Sequence, residues 1–314
     1  MFVTILIGDI ITVLKIATRK SPLALWQAEF VKSRLQFFYP DLDVEFVKMS
    51  TQGDKILNSP LSKIGGKGLF IKELEIGMLD GRADIAVHSM KDLPYKLPKE
   101  FELGAILERE NPFDAFVSND FDTISDLPIG ARVGSCSLRR IVQLKALRPD
   151  LMILDLRGNV NTRLKKLDNG DYDAIILACA GLIRLGFQDR IKQQLSARQS
   201  LPAVGQGALG IEIRSGDQDI VGLVAPLINK KTMNEVSAER AMNATLEGGC
   251  SVAIGAYAIS NAKEIHLQGM VGNVDSGVIL KVEESGNIKE PAALGKLVAN
   301  KLLSMGAREL LTEV

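Results

Sequence analysis

The sequence predicts an α/β protein of more than one domain, on three observations. The chain has 314 residues, more than one core of ordinary size accommodates. Its first two thirds alternate short apolar runs with segments of helical spacing, the order that puts helices on the faces of parallel sheets. Its last third becomes strand-rich between two helices.

The elements follow in order along the chain. Val13 to Ala17 reads as a strand. Ser21-Pro22 then offers an N-cap and a proline for the first helical position. Leu25, Trp26, Phe30, Leu35 and Phe38 recur at helical spacing from Leu23 to Phe38, where Tyr39-Pro40 ends the helix. Val44 to Met49 is the next strand, a polar glycine-containing stretch covers Thr51 to Gly68, a helix covers Leu69 to Leu79, and Ala83 to His88 is a strand. A second alternating unit follows: a strand ending at Arg132 to Gly134, a helix from Leu138 to Leu147, a strand from Leu151 to Leu156, a helix from Asn161 to Leu167 and a buried strand from Ala174 to Cys179. Leu201 to Gly207 is a turn-rich connection. Asn234 to Leu246 is a helix, Val252 to Val282 is strand-rich, and a last helix runs from Pro291 to Met305.

Composition excludes several functions. Thirty-eight Lys and Arg balance 38 Asp and Glu, so there is no net field to attract nucleic acid or an anionic membrane. Cys136, Cys179 and Cys250 are far apart and odd in number, which argues against a disulfide framework or zinc site and for a reducing, cytoplasmic setting. Two histidines, His88 and His266, are too few for a histidine-rich metal centre. The apolar stretch Met1 to Val13 lacks a basic start and is interrupted by Asp9, so it reads as an extension into the first strand. No apolar run is long enough to span a bilayer.

Arginines recur directly after strands, in loops of small residues: Arg19, Arg139 and Arg140 after Gly134-Ser-Cys-Ser137, Arg157 before Gly158-Asn159, and Arg163. Strand ends and helix starts already favour anions, and guanidinium groups bind carboxylates or phosphates in pairs of hydrogen bonds. Solvated surface arginines are the bland alternative, but five at equivalent points predict a cleft for a ligand with several carboxylates. Ser89-Met-Lys-Asp92 follows a strand and puts Asp92 at that cleft, where a lone aspartate also serves as a turn residue. Leu246-Glu-Gly-Gly-Cys250 sets a thiol after a flexible loop, where it is either a nucleophile or a small buried apolar group.

Six stretches carry a resemblance to the hydroxymethylbilane synthase (porphobilinogen deaminase) family: Ile16-Ala-Thr-Arg-Lys-Ser-Pro-Leu-Ala-Leu-Trp-Gln-Ala28, Gly65-Gly-Lys-Gly-Leu-Phe70, Ala83-Asp-Ile-Ala-Val-His-Ser-Met-Lys-Asp92, Leu156-Arg-Gly-Asn-Val160, Leu201-Pro-Ala-Val-Gly-Gln-Gly207 and Leu246-Glu-Gly-Gly-Cys250. It runs from Lys15 to Val314. It implies an α/β fold of three domains: two resembling the halves of a type II periplasmic-binding-protein fold around a cleft, and a smaller α+β C-terminal domain. The expected bounds are 13–107 with 208–227, 108–207, and 228–314. It implies a transferase of heme and porphyrin biosynthesis that joins four porphobilinogen molecules, with loss of ammonia, into hydroxymethylbilane. The primer is a dipyrromethane held by a thioether to Cys250, and Asp92 matches the catalytic aspartate that stabilises pyrrole nitrogen as it becomes cationic. Lys91, Asp92, Ser137, Arg139, Arg140, Arg157, Gly181 and Arg184 match cofactor-binding positions, and Arg19, Ser21, Arg157, Arg163 and Gln206 match substrate-binding ones.

The polar stretch Asn58 to Gly68 reads as a lid, with Lys63 and Lys67 reaching for carboxylates. Gln52 and Cys136 depart from the family pattern, which more often has arginine and a hydroxyl residue there. The expected partner is porphobilinogen alone, with no nucleic acid, membrane or metal, and the expected state is a cytoplasmic monomer. A secreted dicarboxylate-binding protein would share the arginines but would need a secretion signal and would give Cys250 no role. A ligand-sensing regulator would need a basic DNA-binding segment, and none is visible.

Overall fold

The computed structural model describes residues 13–51, 71–248 and 252–312. Gln52, Lys63, Lys67, Cys250 and the extension 1–12 lie outside the described residues, so the lid and the cofactor thiol are expectations that no geometry addresses.

Three sheets organise the described chain. The first is built from β1 (Val13–Arg19), β2 (Asp43–Met49), β3 (Ile85–Ser89), β4 (Phe101–Ile106) and β10 (Leu209–Arg214), in the order β2-β1-β3-β10-β4. Leu14, Ile16, Ile85, Val87, Ile211 and Ile213 pack from it under the Pro22–Phe38 and Gln218–Val224 helices. Ala17 and Ala86 point the other way, against Leu74 and Met78 of the Lys72–Leu79 helix. Both faces are therefore covered, which explains why these strands read as continuous apolar runs.

The second sheet has the order β7-β6-β8-β5-β9, from β5 (Asp114–Val117), β6 (Arg132–Gly134), β7 (Met152–Leu154), β8 (Ala174–Ala178) and β9 (Gln193–Leu195). Ala115, Val117, Ile175 and Leu177 enter one core and Phe116, Ala174 and Ile176 the other, so alternate residues serve opposite faces. The third sheet is an antiparallel meander of β11 (Ala253–Ser260), β12 (Glu264–Gly272) and β13 (Ile279–Asn287). It packs on the Lys230–Thr245 and Pro291–Ser304 helices. These two helices approach closely because residue 295 is glycine: a Cβ there would lie 2.2 Å from the Ala238 carbonyl oxygen.

The expected parallel pairing is present, β1 with β2 and β3 and β6 with β7 and β8, but the sheets are mixed. β10 runs antiparallel to both β3 and β4, and β5 runs antiparallel to both β8 and β9. β10 returns from the second sheet and β5 is entered from the first over residues 107–113, so neither follows a crossover helix of its own sheet and each can run opposite to its neighbours. The α/β class and the smaller α+β unit after it are as expected. Among the described residues no helix is long and apolar enough to cross a membrane, and no cluster of His, Cys, Asp and Glu is arranged to hold a metal ion.

A buried ion pair ties the Lys230–Thr245 helix to the two segments that run between the first and second sheets. Glu239 of the Lys230–Thr245 helix is fully buried. It accepts from Arg109 Nη1 at 2.6 Å, from the Gly205 N–H at 2.6 Å and from the Ala258 N–H at 2.9 Å. Both segments that run between the first two sheets, and one strand of the third, thus converge on one carboxylate.

Candidate active site

The cleft lies where the carboxyl ends of β1, β3 and β8 meet the starts of the helices that follow them. Ser21 caps the Pro22–Phe38 helix, its Oγ accepting from the Ala24 N–H at 3.3 Å. Arg19, at the end of β1, lines a pocket with Ser21, Gln27, His88, Ser89 and Asp92. Gln27 Nε2 donates to Ser89 Oγ at 2.8 Å, which fixes the end of β3 against the first helix. Asp92 closes a short 3₁₀ turn, Met90–Asp92, and is exposed.

An adjoining pocket shares Leu23 and Ser89 with the first and is strongly cationic. Lys91, Arg140, Arg163 and Arg184 line it, with Gly181 and Gln206. Burial pushes the Lys91 ammonium down to about 8; Asp92 opposes the shift and Arg140 adds to it. Burial also pushes Arg184 down to about 10, with Glu110 opposing. Its Nη2 donates to the Gly207 carbonyl at 2.7 Å and its guanidinium lies over the Trp26 ring. Burial lowers Arg163 as well, with Cys136 and Asp92 opposing the shift and Arg140 and Arg157 adding to it. Arg163 Nε donates to the Gly158 carbonyl at 2.8 Å.

Two details show room for a ligand that carries a hydrogen-bond donor. A Cβ on Gly181 would meet nothing nearer than Leu23 and Val160 at 3.8 Å, so protein packing does not require the glycine and the space is left to the pocket. Gln206 is 1% exposed; its Nε2 donates to the Pro112 carbonyl and to Asp114, while its buried Oε1 has no partner among the described residues. An orphaned buried acceptor is costly unless something donates to it.

Arg139 stands apart from these. Its Nη1 donates to Asp114 Oδ2 at 2.8 Å and to the Leu201 carbonyl at 2.6 Å, and its Nη2 to Asp114 Oδ1 at 3.2 Å. Arg140 binds the same carboxylate through Nε at 3.0 Å and Nη2 at 2.7 Å, and still lines the pocket. Burial disfavours the Asp114 charge, yet Arg139 and Arg140 hold its carboxyl well below the usual carboxylate range. Ser200 and Gln206 also donate to Asp114. Ser137 occupies the N-cap of the Leu138–Leu147 helix without a side-chain capping bond. Arg157 Nε donates to Asp155 at 2.9 Å.

Sequence reasoning missed Asp114. The available signal was an acidic residue opening the apolar run Asp114-Ala-Phe-Val117, which can be buried only if cations meet it. It also missed His88, Glu212 and Glu75, which meet behind the first pocket.

The family description "Porphobilinogen deaminase, dipyromethane cofactor binding domain" matches residues 14–222, and "Porphobilinogen deaminase, C-terminal domain" matches 233–304. A protein of Ruthia magnifica subsp. Calyptogena magnifica named porphobilinogen deaminase is 67% identical over 298 residues, covering 95% of this chain and 98% of that protein. One of the same name from Vesicomyosocius okutanii is 65% identical over 300 residues, covering 96% of this chain and 99% of that protein. A nutrient-binding protein of Burkholderia cenocepacia bound to methionine overlaps 68% of this chain and 90% of its own, at 16% identity and a TM-score of 0.42, too loose a likeness to carry an argument.

Proposed function

The chain belongs to the porphobilinogen deaminase family, and we propose that Asp92 is its catalytic carboxylate, that Cys250 carries its cofactor, and that Lys91, Arg140, Arg163 and Arg184 hold the carboxylates of cofactor and growing chain. The activity is that of the family: porphobilinogen units are condensed into hydroxymethylbilane on a dipyrromethane primer, in porphyrin biosynthesis. The observation that carries the residue assignment is the cationic pocket beside Asp92, with its unfilled space at Gly181 and its orphaned Gln206 Oε1.

The residues present fit a dipyrrole bearing acidic side chains. Lys91, Arg140, Arg163 and Arg184 pair with its carboxylates, Gln206 Oε1 accepts a pyrrole N–H, and Gly181 leaves space for the ring. When bound, the cofactor supplies the pyrrole carbon to which incoming units are joined. Arg19 and Ser21, in the first pocket, hold the acidic side chains of arriving porphobilinogen. Asp92 lies on the lining of that pocket and next in sequence to Lys91 of the other. From there its carboxylate stabilises positive charge on pyrrole nitrogen more than it stabilises the neutral ground state, which is what lowers a barrier. Burial of the surrounding arginines strengthens their attraction for anions, because little water screens them.

Arg139 enters this reading as the residue that neutralises Asp114 and fixes Arg140, and Arg157 and Ser137 as neighbours rather than pocket walls. The three units proposed are 13–107 with 208–227, 108–207, and 228–314, supported by strands from 13–106 and 209–214, 114–195, and 253–287 in the three sheets. We further read the chain as a cytoplasmic monomer with porphobilinogen as its only partner.

Two measurements test the assignment. Intact-protein mass should show a dipyrromethane-sized increment that is lost in Cys250→Ser; an increment on Cys136 or Cys179 instead overturns the anchor. Cofactor-loaded Asp92→Asn should release ammonia about 10²–10⁴-fold more slowly in a single turnover, with its thermal midpoint unchanged. Near-normal release with a lowered midpoint would make Asp92 a turn residue.

A further inference from the structure

Behind the first pocket, three buried ionisable side chains that the reaction does not use meet. His88 of β3 and Glu212 of β10 lie on the face of the first sheet that the Lys72–Leu79 helix covers, and Glu75 of that helix faces them. His88 is 6%, Glu212 0% and Glu75 9% exposed. His88 Nε2 lies 2.9 Å from Glu212 Oε2, so the imidazole donates to the carboxylate. The other oxygen of Glu212 and Oε1 of Glu75 are both buried with no hydrogen-bond partner among the described residues. Two orphaned carboxylate oxygens on facing elements are repulsive when both groups are ionised, and complementary when one carries a proton.

We propose that Glu75 and Glu212 share a single proton and, with His88, form a positioning unit that fixes the carboxyl end of β3, from which Lys91 and Asp92 reach the cleft. This rests on the roles given above to those two residues. His88 itself lines the first pocket, and the next residue, Ser89, is held by Gln27. The 3₁₀ turn that carries Lys91 and Asp92 starts at once after it. A shift of the Lys72–Leu79 helix away from Glu212 therefore moves the base of that turn. Burial pushes the Glu75 carboxyl up to about 7, Glu212 adds to the shift, His88 opposes it and Glu100 adds a little. Among the described residues, those three are the ionisable groups that act on Glu75 from the elements around it.

The sign follows from proton linkage. Between the ordinary value of 4.5 and about 7, the folded protein holds a proton that the unfolded chain releases. Folding stability from this group therefore falls as pH rises through that window and levels off above it. Glu75→Gln replaces the shared proton with a permanent amide donor, so it should lack this fall.

The experiment uses the cofactor-loaded enzyme, wild type against Glu75→Gln and Glu75→Ala, from pH 5.5 to 8.5. Infrared spectra should contain a protonated-carboxyl carbonyl band that fades as pH rises through about 7 and is missing in Glu75→Gln. The thermal midpoint of the wild type should fall relative to Glu75→Gln over the same range. Turnover in Glu75→Gln should decline later on the alkaline side than in the wild type, with KM unchanged, while Glu75→Ala should lose turnover at every pH. A missing carboxyl band, or midpoints that track each other across the range, overturns the shared proton. A band and midpoint that behave as stated, with identical turnover profiles, overturn the positioning role alone. Neither spectral nor thermal readout depends on Asp92 being catalytic, so failure of that assignment is told apart.

Discussion

Two sets of cations stand at helices of the second sheet unit, and they are engaged differently. Arg139 and Arg140, in the first turn of the Leu138–Leu147 helix, close on the Asp114 carboxylate. Arg163 and Arg184 have backbone carbonyls as hydrogen-bond partners, at Gly158 and Gly207. A guanidinium matched to a buried carboxylate is largely neutralised and becomes part of the frame. One matched to a carbonyl keeps its charge for an incoming anion. Two guanidiniums on one aspartate leave one net positive charge, and it is Arg140, not Arg139, that reaches the pocket. Position after a strand thus nominates an arginine, but its partner decides its use.

The sharpest way to break the contrast is to remove the central carboxylate. Asp114→Asn leaves two guanidiniums buried against each other, and breaking such a pair costs about 3–5 kcal/mol. Thermal and denaturant unfolding should show that loss at neutral pH. Because Asp114 is held below the ordinary carboxylate range, its contribution is present above that range and fades as pH falls through it. Arg139→Leu should be similarly destabilising, since it strips Asp114 of two of its hydrogen bonds. A change below about 1 kcal/mol in both variants, the worth of an exposed pair, would erase the distinction.

The opposite signature is expected on the other side. Arg163→Gln and Arg184→Gln should each lose about 1.5–3 kcal/mol of binding to a carboxylate, a factor of about ten to a hundred in kcat/KM, with unfolding little changed. Arg184→Lys should recover only part, because a lysine keeps the charge but not the planar contact with Trp26. Equal loss of stability in both series would mean that all four arginines are frame residues.

How much of this was legible follows the same line. The Pro22–Phe38 helix was readable from Ser21-Pro22 and its apolar spacing, because capping and periodicity are local. β5 and β10 were not singled out, although both are apolar, since four to six residues with no alternation carry little periodic signal. Their antiparallel direction is set where the chain passes from one sheet to the other, which no local pattern encodes. The cluster of Lys91, Arg163 and Arg184 was nominated by strand-end position and by resemblance, and the structure gathers it around one pocket. Asp114 was invisible as a site residue because its role exists only once Arg139, Arg140, Ser200 and Gln206 converge on it from distant sequence. Cys250 was nominated by its loop and its motif, and rests on those alone.

Lys91 supplies the finest test of the contrast, because its charge can be removed by pH without a mutation. Burial, partly offset by Asp92 and reinforced by Arg140, brings its ammonium down to about 8. Between that value and the ordinary 10.5, the unfolded chain holds a proton that the folded one has released. The penalty of burying this charge is thus present below pH 8 and is relieved as pH rises, so stability gains on the alkaline side. Ligand binding has the reverse dependence, since only the charged form attracts a carboxylate. From pH 7 to pH 8 the charged fraction falls about twofold for a group titrating near 8, and binding of a pyrrole dicarboxylate to the cofactor-free protein should weaken by about that factor. Lys91→Arg, which stays charged throughout, should flatten the binding curve over this range and remove the alkaline gain in stability. If Lys91→Arg and wild type weaken in parallel, the titrating group lies elsewhere. Lys91 would then join Arg139 among residues whose charge serves the frame.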